Sequence, residues 1–263
     1  MQRKLQPVSS FGLERLNNSD LKNIIMSVII NNNGLTFLYI HEKEEVAFEV
    51  FNSSPDNFPA IAEASASSGR SFSSVHLFFD NRFYTALPKG KINKSEKDSL
   101  AEMVFGHNHL EVVFQNQNDY DVIYGVEKEV FIAVSKLWKD AVLHHYAEAF
   151  YNSIKTTELN EDVFFEIRKD FFWAAMFKSN KLQLLNSYDF SGKEDFGYFS
   201  LGIIKNLGFN PKELNLWLSG NVQKDSPLEK LLSTYIKNIK PLDLKDISPE
   251  FISLIHIIKF FKK

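Results

Sequence analysis

One grammar is written twice along this chain: three short apolar strands, a helix closed by glycine, then a fourth apolar strand. The first copy runs from Lys22 to Phe79 and the second from Glu161 to Leu218, spans of similar length. Self-similarity on that scale predicts two related lobes rather than one continuous sheet. Within each copy, a helix between strands of one sheet implies a right-handed crossover, so the fourth strand is expected parallel to the first.

In the first copy, Lys22 to Ile30 carries large and β-branched apolar residues on both faces, the pattern of a central strand. Asn31-Asn32-Asn33-Gly34 follows, and its Asn-Gly pair predicts a type I′ hairpin with positive φ at both residues. Leu35 to Ile40 and Val46 to Phe51 are the next two strands. Pro55-Asp56 opens a helix with apolar positions Phe58, Ile61, Ala62 and Ala66, closed by Gly69, and Val75 to Phe79 is the fourth strand. The second copy reads Asp162 to Ile167, Phe171 to Phe177 and Lys181 to Tyr188 as strands. Glu194 to Leu207 is then a helix closed by Gly208, and Leu214 to Leu218 the parallel strand.

Between the copies, Ser95 to Phe105 reads as a helix, and Leu110 to Phe114 and Val122 to Val126 as strands. Lys136 to Ala149 reads as an amphipathic helix, because Leu137, Trp138, Val142, Tyr146 and Phe150 recur at helical spacing. A turn-rich stretch from Pro241 to Pro249 precedes an apolar run, Phe251 to Phe261, expected to pack against the body. The organisation expected is a polar leader (1–20), an N-terminal lobe (21–150), a C-terminal lobe (151–240) and a packing tail (241–263).

Composition removes whole classes of chemistry. With no cysteine, disulfides, thiolate zinc sites, iron–sulfur clusters and cysteine nucleophiles are excluded. A net charge of -3 lacks the basic excess that nucleic-acid binding uses to displace counterions, so no nucleic-acid partner is expected. No apolar run approaches the roughly 20 residues needed to span a bilayer. Met1 to Asp20 has no apolar h-region, so a cytoplasmic location is expected. The 25 phenylalanines are core material rather than a ligand signal.

Three segments carry a resemblance: Val75 to Pro88 (VHLFFDNRFYTALP), Val122 to Ala149 (VIYGVEKEVFIAVSKLWKDAVLHHYAEA) and Leu214 to Val222 (LNLWLSGNV). With the duplicated strand-strand-strand-helix-strand unit, they make the chain look like the DUF3822 family of bacterial proteins. That family is assigned an actin-like ATPase fold with a ribonuclease H-like core. More distantly, the chain resembles the PilM- and GspL-type pilus and secretion assembly proteins. The resemblance implies an α/β fold of two βββαβ-based lobes with mixed sheets, and a protein partner or homo-oligomer.

It also implies where a nucleotide would sit. In actin-like ATPases each lobe's first hairpin turn carries a glycine-rich segment that lets backbone N–H groups approach phosphate, and an Asp on the preceding strand holds the metal through water. Carried over, those places are Asn32, Asn33 and Gly34 in the first lobe, Glu166 and Asp170 in the second, and Ser219 and Gly220 on the adenosine side. They are the candidate residues of an inter-lobe cleft. The first turn has one Gly and no Asp, the second no Gly, and the glycine pair is reduced to Ser219-Gly220-Asn221. These departures argue against ordinary ATP hydrolysis.

Glu166 and Asp170 read as solvated turn charges. The histidine pairs His107/His109 and His144/His145 come without an acidic third ligand, so no metal site is expected. No catalytic residue, P-loop, Rossmann fingerprint or hydrolase elbow is present. A ribonuclease H-like nuclease would need clustered carboxylates on its first central strand, and Lys22 to Ile30 has none. The expected function is a non-catalytic interaction module without a cofactor. The alternative is a divergent ATPase or phosphotransferase using Mg-ATP.

Overall fold

The computed structural model describes the chain except residues 1–4, 18–20, 42–45, 91–93, 107–108, 118, 156–157, 224, 243–250 and 263. Its first strands are β1 (Ser9–Phe11), β2 (Ile24–Asn31), β3 (Gly34–His41) and β4 (Val46–Asn52). Helix α1 (Phe58–Ala64), β5 (Ser74–Phe79) and β6 (Tyr84–Pro88) follow. The middle segment forms α2 (Lys97–Phe105), β7 (Leu110–Asn116), β8 (Tyr120–Glu127), α3 (Lys128–Leu137), β9 (Val142–His145) and α4 (Tyr146–Ile154). Then come β10 (Glu161–Ile167), β11 (Phe171–Lys178), β12 (Lys181–Asp189), α5 (Lys193–Asn206) and β13 (Asn215–Gly220). Helix α6 (Pro227–Ser233), β14 (Asn238–Pro241) and α7 (Ile252–Phe261) complete the order.

Two mixed sheets result, one of order β1-β4-β3-β2-β5-β9 and one of order β14-β13-β10-β11-β12-β6-β8-β7. The chain divides into two compact units. The first comprises Met1–Asn81, Asn93–Phe114 and Ile123–Tyr146, and the second Arg82–Ile92, Gln115–Val122 and Ala147–Lys263.

The duplication holds at the level of single hydrogen bonds. In the first unit β2 pairs antiparallel with β3 and parallel with β5; in the second β10 pairs antiparallel with β11 and parallel with β13. Ile30 faces Phe79 across the parallel pair, and its carbonyl accepts from Asp80 N (2.8 Å). Ile167 faces Gly220, and its carbonyl accepts from Asn221 N (2.6 Å). The hairpin turns match as well. The Asn33 carbonyl accepts from Ser53 N and the Asp170 carbonyl from Phe190 N, both at 2.9 Å.

In the first unit, Phe58 and Ile61 of α1 are buried over β3, and Trp138 just beyond α3 meets Phe37 edge-on. In the second, Phe196 and Ile204 of α5 and Leu232 of α6 pack on Phe165, Ile167 and Phe172. The opposite face of that sheet carries Phe164, Glu166 and Phe177, against which α4 sets Tyr151 and α7 sets His256. The second unit is thus three layered, with the sheet in the middle.

Three local expectations are corrected. The Asn33-Gly34 pair is not a type I′ turn: the central residues are Asn32 and Asn33, neither with positive φ, and Gly34 (φ +144) already belongs to β3. The type I′ signature appears instead at Ser179-Asn180 (φ 49 and 62), between β11 and β12. Helix α1 ends at Ala64 rather than continuing through Ala66, because buried Glu49 takes the Ala66 N–H (2.7 Å) and Ser65 turns extended. The amphipathic helix expected over Lys136 to Ala149 is broken. Val142–His145 pairs in parallel with β5, and tertiary pairing overrides the helical spacing. Gly208 closes α5 as expected, with φ +69 and its N–H on the Lys205 carbonyl.

Helix α5 contains two glycines in different circumstances. A Cβ at Gly197 would meet Leu231 at 2.6 Å, whereas one at Gly202 would meet nothing within 4 Å. Gly202→Ala is therefore expected to stabilise the protein by about 0.5–1 kcal/mol in chemical denaturation, and Gly197→Ala to gain less, because the Leu231 methyl must move aside.

Candidate functional site

The carried-over positions fall in both units: Asn32, Asn33 and Gly34 in the first, Glu166, Asp170, Ser219 and Gly220 in the second. In the first unit the backbone of Asn33 is already committed. Asn33 N–H is held by Asn31 Oδ1 (2.9 Å), and the Asn33 carbonyl by Ser53. Gly34 is glycine for a packing reason. A Cβ there would lie 2.0 Å from the Phe51 carbonyl oxygen, so β4's backbone occupies the space a side chain would need.

In the second unit, β10 and β13 run side by side and bring three candidates together. Glu166 pairs in register with Ser219, and Ile167 with Gly220. A Cβ on Gly220 (φ +86) would lie 2.1 Å from the Ile167 carbonyl oxygen. The Gly220 carbonyl accepts from Val222 N (2.7 Å), closing the strand end into a tight bend. Asp170 lies beyond this group, exposed at the tip of the β10–β11 turn.

Glu166 corrects the expectation of a solvated turn charge. It is fully buried, its side chain pointing into the layer between the sheet and α4 and α7. Arg168 Nη2 stands 2.8 Å from Oε1, and His256 Nε2 stands 2.9 Å from Oε2. Arg168 Nη2 also donates to Ser253 Oγ (3.0 Å) on α7, one helical turn before His256. The other imidazole nitrogen, Nδ1, meets Ser153 Oγ on α4, and Phe150 packs edge-on against the ring. The carboxylate therefore ties three elements together: β10, the turn after it, and the C-terminal helix.

The sequence reading missed His256 and Ser253 as partners. The available signal was two polar residues at i and i+3 in an otherwise apolar run, the spacing that puts both on one helix face. It also missed Glu49, whose carboxylate accepts from Tyr39 Oη (2.6 Å) inside the first unit. Burial pushes the Glu49 carboxyl up, with the Tyr39 and Ala66 hydrogen bonds pulling back.

The expected alternation of His107 and His109 lies partly outside the described residues, and His109 is exposed. His144 and His145 sit on strand β9 and point to opposite faces. His144 Nε2 meets His76 Nδ1 at 2.9 Å, with the two rings nearly coplanar, while His145 is buried against Tyr124. Burial lowers His145 to about 3; burial and then His144 lower His76 to about 4.

Both bases hold a proton more weakly folded than unfolded, where the value is 6.5. Acid therefore favours the unfolded chain. The stability they contribute is complete above pH 6.5 and is lost as pH falls towards 4 for His76 and 3 for His145. Glu49, with its raised value, acts in the opposite sense. Urea midpoints are expected to fall between neutral and mildly acidic pH, and His145→Gln to flatten that fall.

Among the described residues, no three His, Asp or Glu side chains converge as a metal site, and no helix is long and apolar enough to cross a membrane.

Comparison with known proteins places this geometry in a fold. A family model described as a protein of unknown function (DUF3822) matches residues 14–239. A Bacteroides thetaiotaomicron protein of actin-like ATPase fold and unknown function superposes with a TM-score of 0.79 at 19% identity, covering 90% of this chain and 96% of that one. The PilM-PilN type IV pilus biogenesis complex contains a chain that superposes at 0.51 with 12% identity, covering 89% and 97%. The cytoplasmic domain of EpsL from Vibrio cholerae, an inner membrane component of the type II secretion system, gives 0.46 at 12% identity, covering 91% and 96%. No curated protein matches the sequence. The likeness establishes an actin-like α/β fold, in keeping with the duplicated unit seen above.

Proposed function

The chain belongs to the DUF3822 family, and from that premise we propose that it is a non-catalytic actin-like module that acts through protein contacts. What carries the reading is the end of β10. There, Gly220 is pressed onto the Ile167 carbonyl, and Glu166 is engaged by Arg168 and His256. A metal-bridged phosphate at this strand end would require the carboxylate to leave both partners and α7 to lose its anchor. The exchange is unfavourable, because breaking a buried ion pair leaves charge uncompensated, at about 3–5 kcal/mol. In the first unit the N–H and carbonyl of Asn33 are likewise satisfied from within, by Asn31 and Ser53.

The likeness to a chain from a pilus biogenesis complex is one of fold, and it supports an assembly role only as analogy. A cytoplasmic location is part of the same proposal. Phosphate release from Mg-ATP tests it: the rate is expected to equal the protein-free background and to be unchanged in Glu166→Gln. Turnover above background that falls in this variant would replace the reading with the phosphotransferase one.

A further inference from the structure

The outer face of α5 carries a stripe of residues arranged symmetrically about its centre. Tyr198 is 77% exposed, more than any other large hydrophobic or aromatic side chain among the described residues. Gly202, one turn on, is a helix-interior glycine with nothing within 4 Å of where a Cβ would stand, so no neighbour among the described residues explains its small size. Asp195 and Lys205 complete the same stripe, both exposed. The spacing 195–198–202–205 is three, four, three, that of a coiled-coil seam. On a straight helix these four residues share one face.

The stripe is also self-complementary. Residues 195 and 205 lie equally far from Ser200, and so do 198 and 202. When two copies of α5 cross antiparallel with a twofold axis at the level of Ser200, Tyr198 of each meets Gly202 of the other. Each Asp195 then faces the other copy's Lys205. A large ring opposes a residue with no side chain, and an acid opposes a base, twice each. This is the isologous pattern that cyclic dimers require.

We propose that this face of α5 is the contact surface for a second copy of the chain. The proposal rests on the interaction-module reading and names its partner. Gly202 lets the two backbones approach, and the Tyr198 ring fills the space. Asp195 keeps its helix-capping bond from Ser191 N (3.2 Å) while its carboxylate faces the incoming lysine. A helix of 14 residues is about 21 Å long. One such pair buries less than the roughly 1,600 Å² of a standard interface, so the dimer is reversible and concentration-dependent.

Sedimentation velocity on the full chain, from low micromolar to submillimolar concentration, tests this. A monomer–dimer equilibrium is expected. Lys205→Glu should weaken it at least about tenfold by opposing carboxylates at both ends. The double exchange Asp195→Lys with Lys205→Glu should recover most of the loss, with folding checked by circular dichroism. Gly202→Ala should weaken the dimer while raising the stability of the monomer, a combination that a purely structural glycine would not show. A strict monomer throughout, or a dimer unmoved by Lys205→Glu and Gly202→Ala, overturns the proposal. Either result leaves the non-catalytic reading to be decided separately by nucleotide.

Discussion

Replacing Gly220 by alanine is expected to abolish the native fold of the second unit, with a loss well above the roughly 4–5 kcal/mol that marks exceptional substitutions. Two separate causes add. The backbone sits at φ +86, where an L side chain is strained, and the new Cβ would lie 2.1 Å from the Ile167 carbonyl oxygen and 2.8 Å from its nitrogen. Both clashing atoms are backbone atoms of β10, so no side-chain rotation relieves them; β13 would have to leave the sheet. Gly208 is the internal control. Its φ of +69 is also left-handed, but nothing lies within 4 Å, so Gly208→Ala should cost only about 1–2 kcal/mol. Soluble yield and urea denaturation measure both. A Gly220→Ala protein that folds as well as Gly208→Ala would show that the close approach at the end of β13 is wrong.

The second large effect is expected at Glu166. Truncation to alanine removes the acceptor that both Arg168 and His256 approach, in a site where the carboxylate and the imidazole are fully buried. Loss of one partner from a buried pair costs about 3–5 kcal/mol, and the Arg168 side chain, 20% exposed, places the expectation here at the lower end of that range. Glutamine keeps the shape and one acceptor, so Glu166→Gln should cost less. The damage should be directional. Helix α7 is anchored through Ser253 and His256, so its amides should lose hydrogen-exchange protection in Glu166→Ala before those of β10 and β11 do. A stability change below about 1 kcal/mol, with α7 protection unchanged, would mean that the tail is held by its apolar residues alone.

The architecture was legible because it is written in hydrophobic period and punctuation. The βββαβ order of both copies and the parallel fourth strands followed from apolar runs, turn residues and the handedness of crossovers, and so did the glycine closing α5. What misled was local chemistry decided by distant partners. The Asn33-Gly34 pair looks like a type I′ turn, yet Gly34 is spent on admitting the Phe51 carbonyl. Val142 to His145 keeps helical spacing by coincidence while β5 claims it as a strand. Glu166 looked like a turn charge because its neighbours are Arg168, Lys169 and Asp170. Its burial depends on His256, ninety positions later, which no local window contains. The α5 stripe was not legible, because only the exposure of Tyr198 and the empty space at Gly202 separate it from an ordinary solvated face.

The central claim is that the strand ends and turns where an actin-like ATPase would hold phosphate are satisfied from within the protein. Thermal unfolding with and without millimolar Mg-ATP tests it most directly. A ligand present at 100 times its Kd adds about 2.7 kcal/mol to the native state, a shift of several degrees that is readily seen. The account predicts the same midpoint with and without nucleotide. A midpoint that rises with Mg-ATP concentration, and rises less in Glu166→Gln, would contradict it.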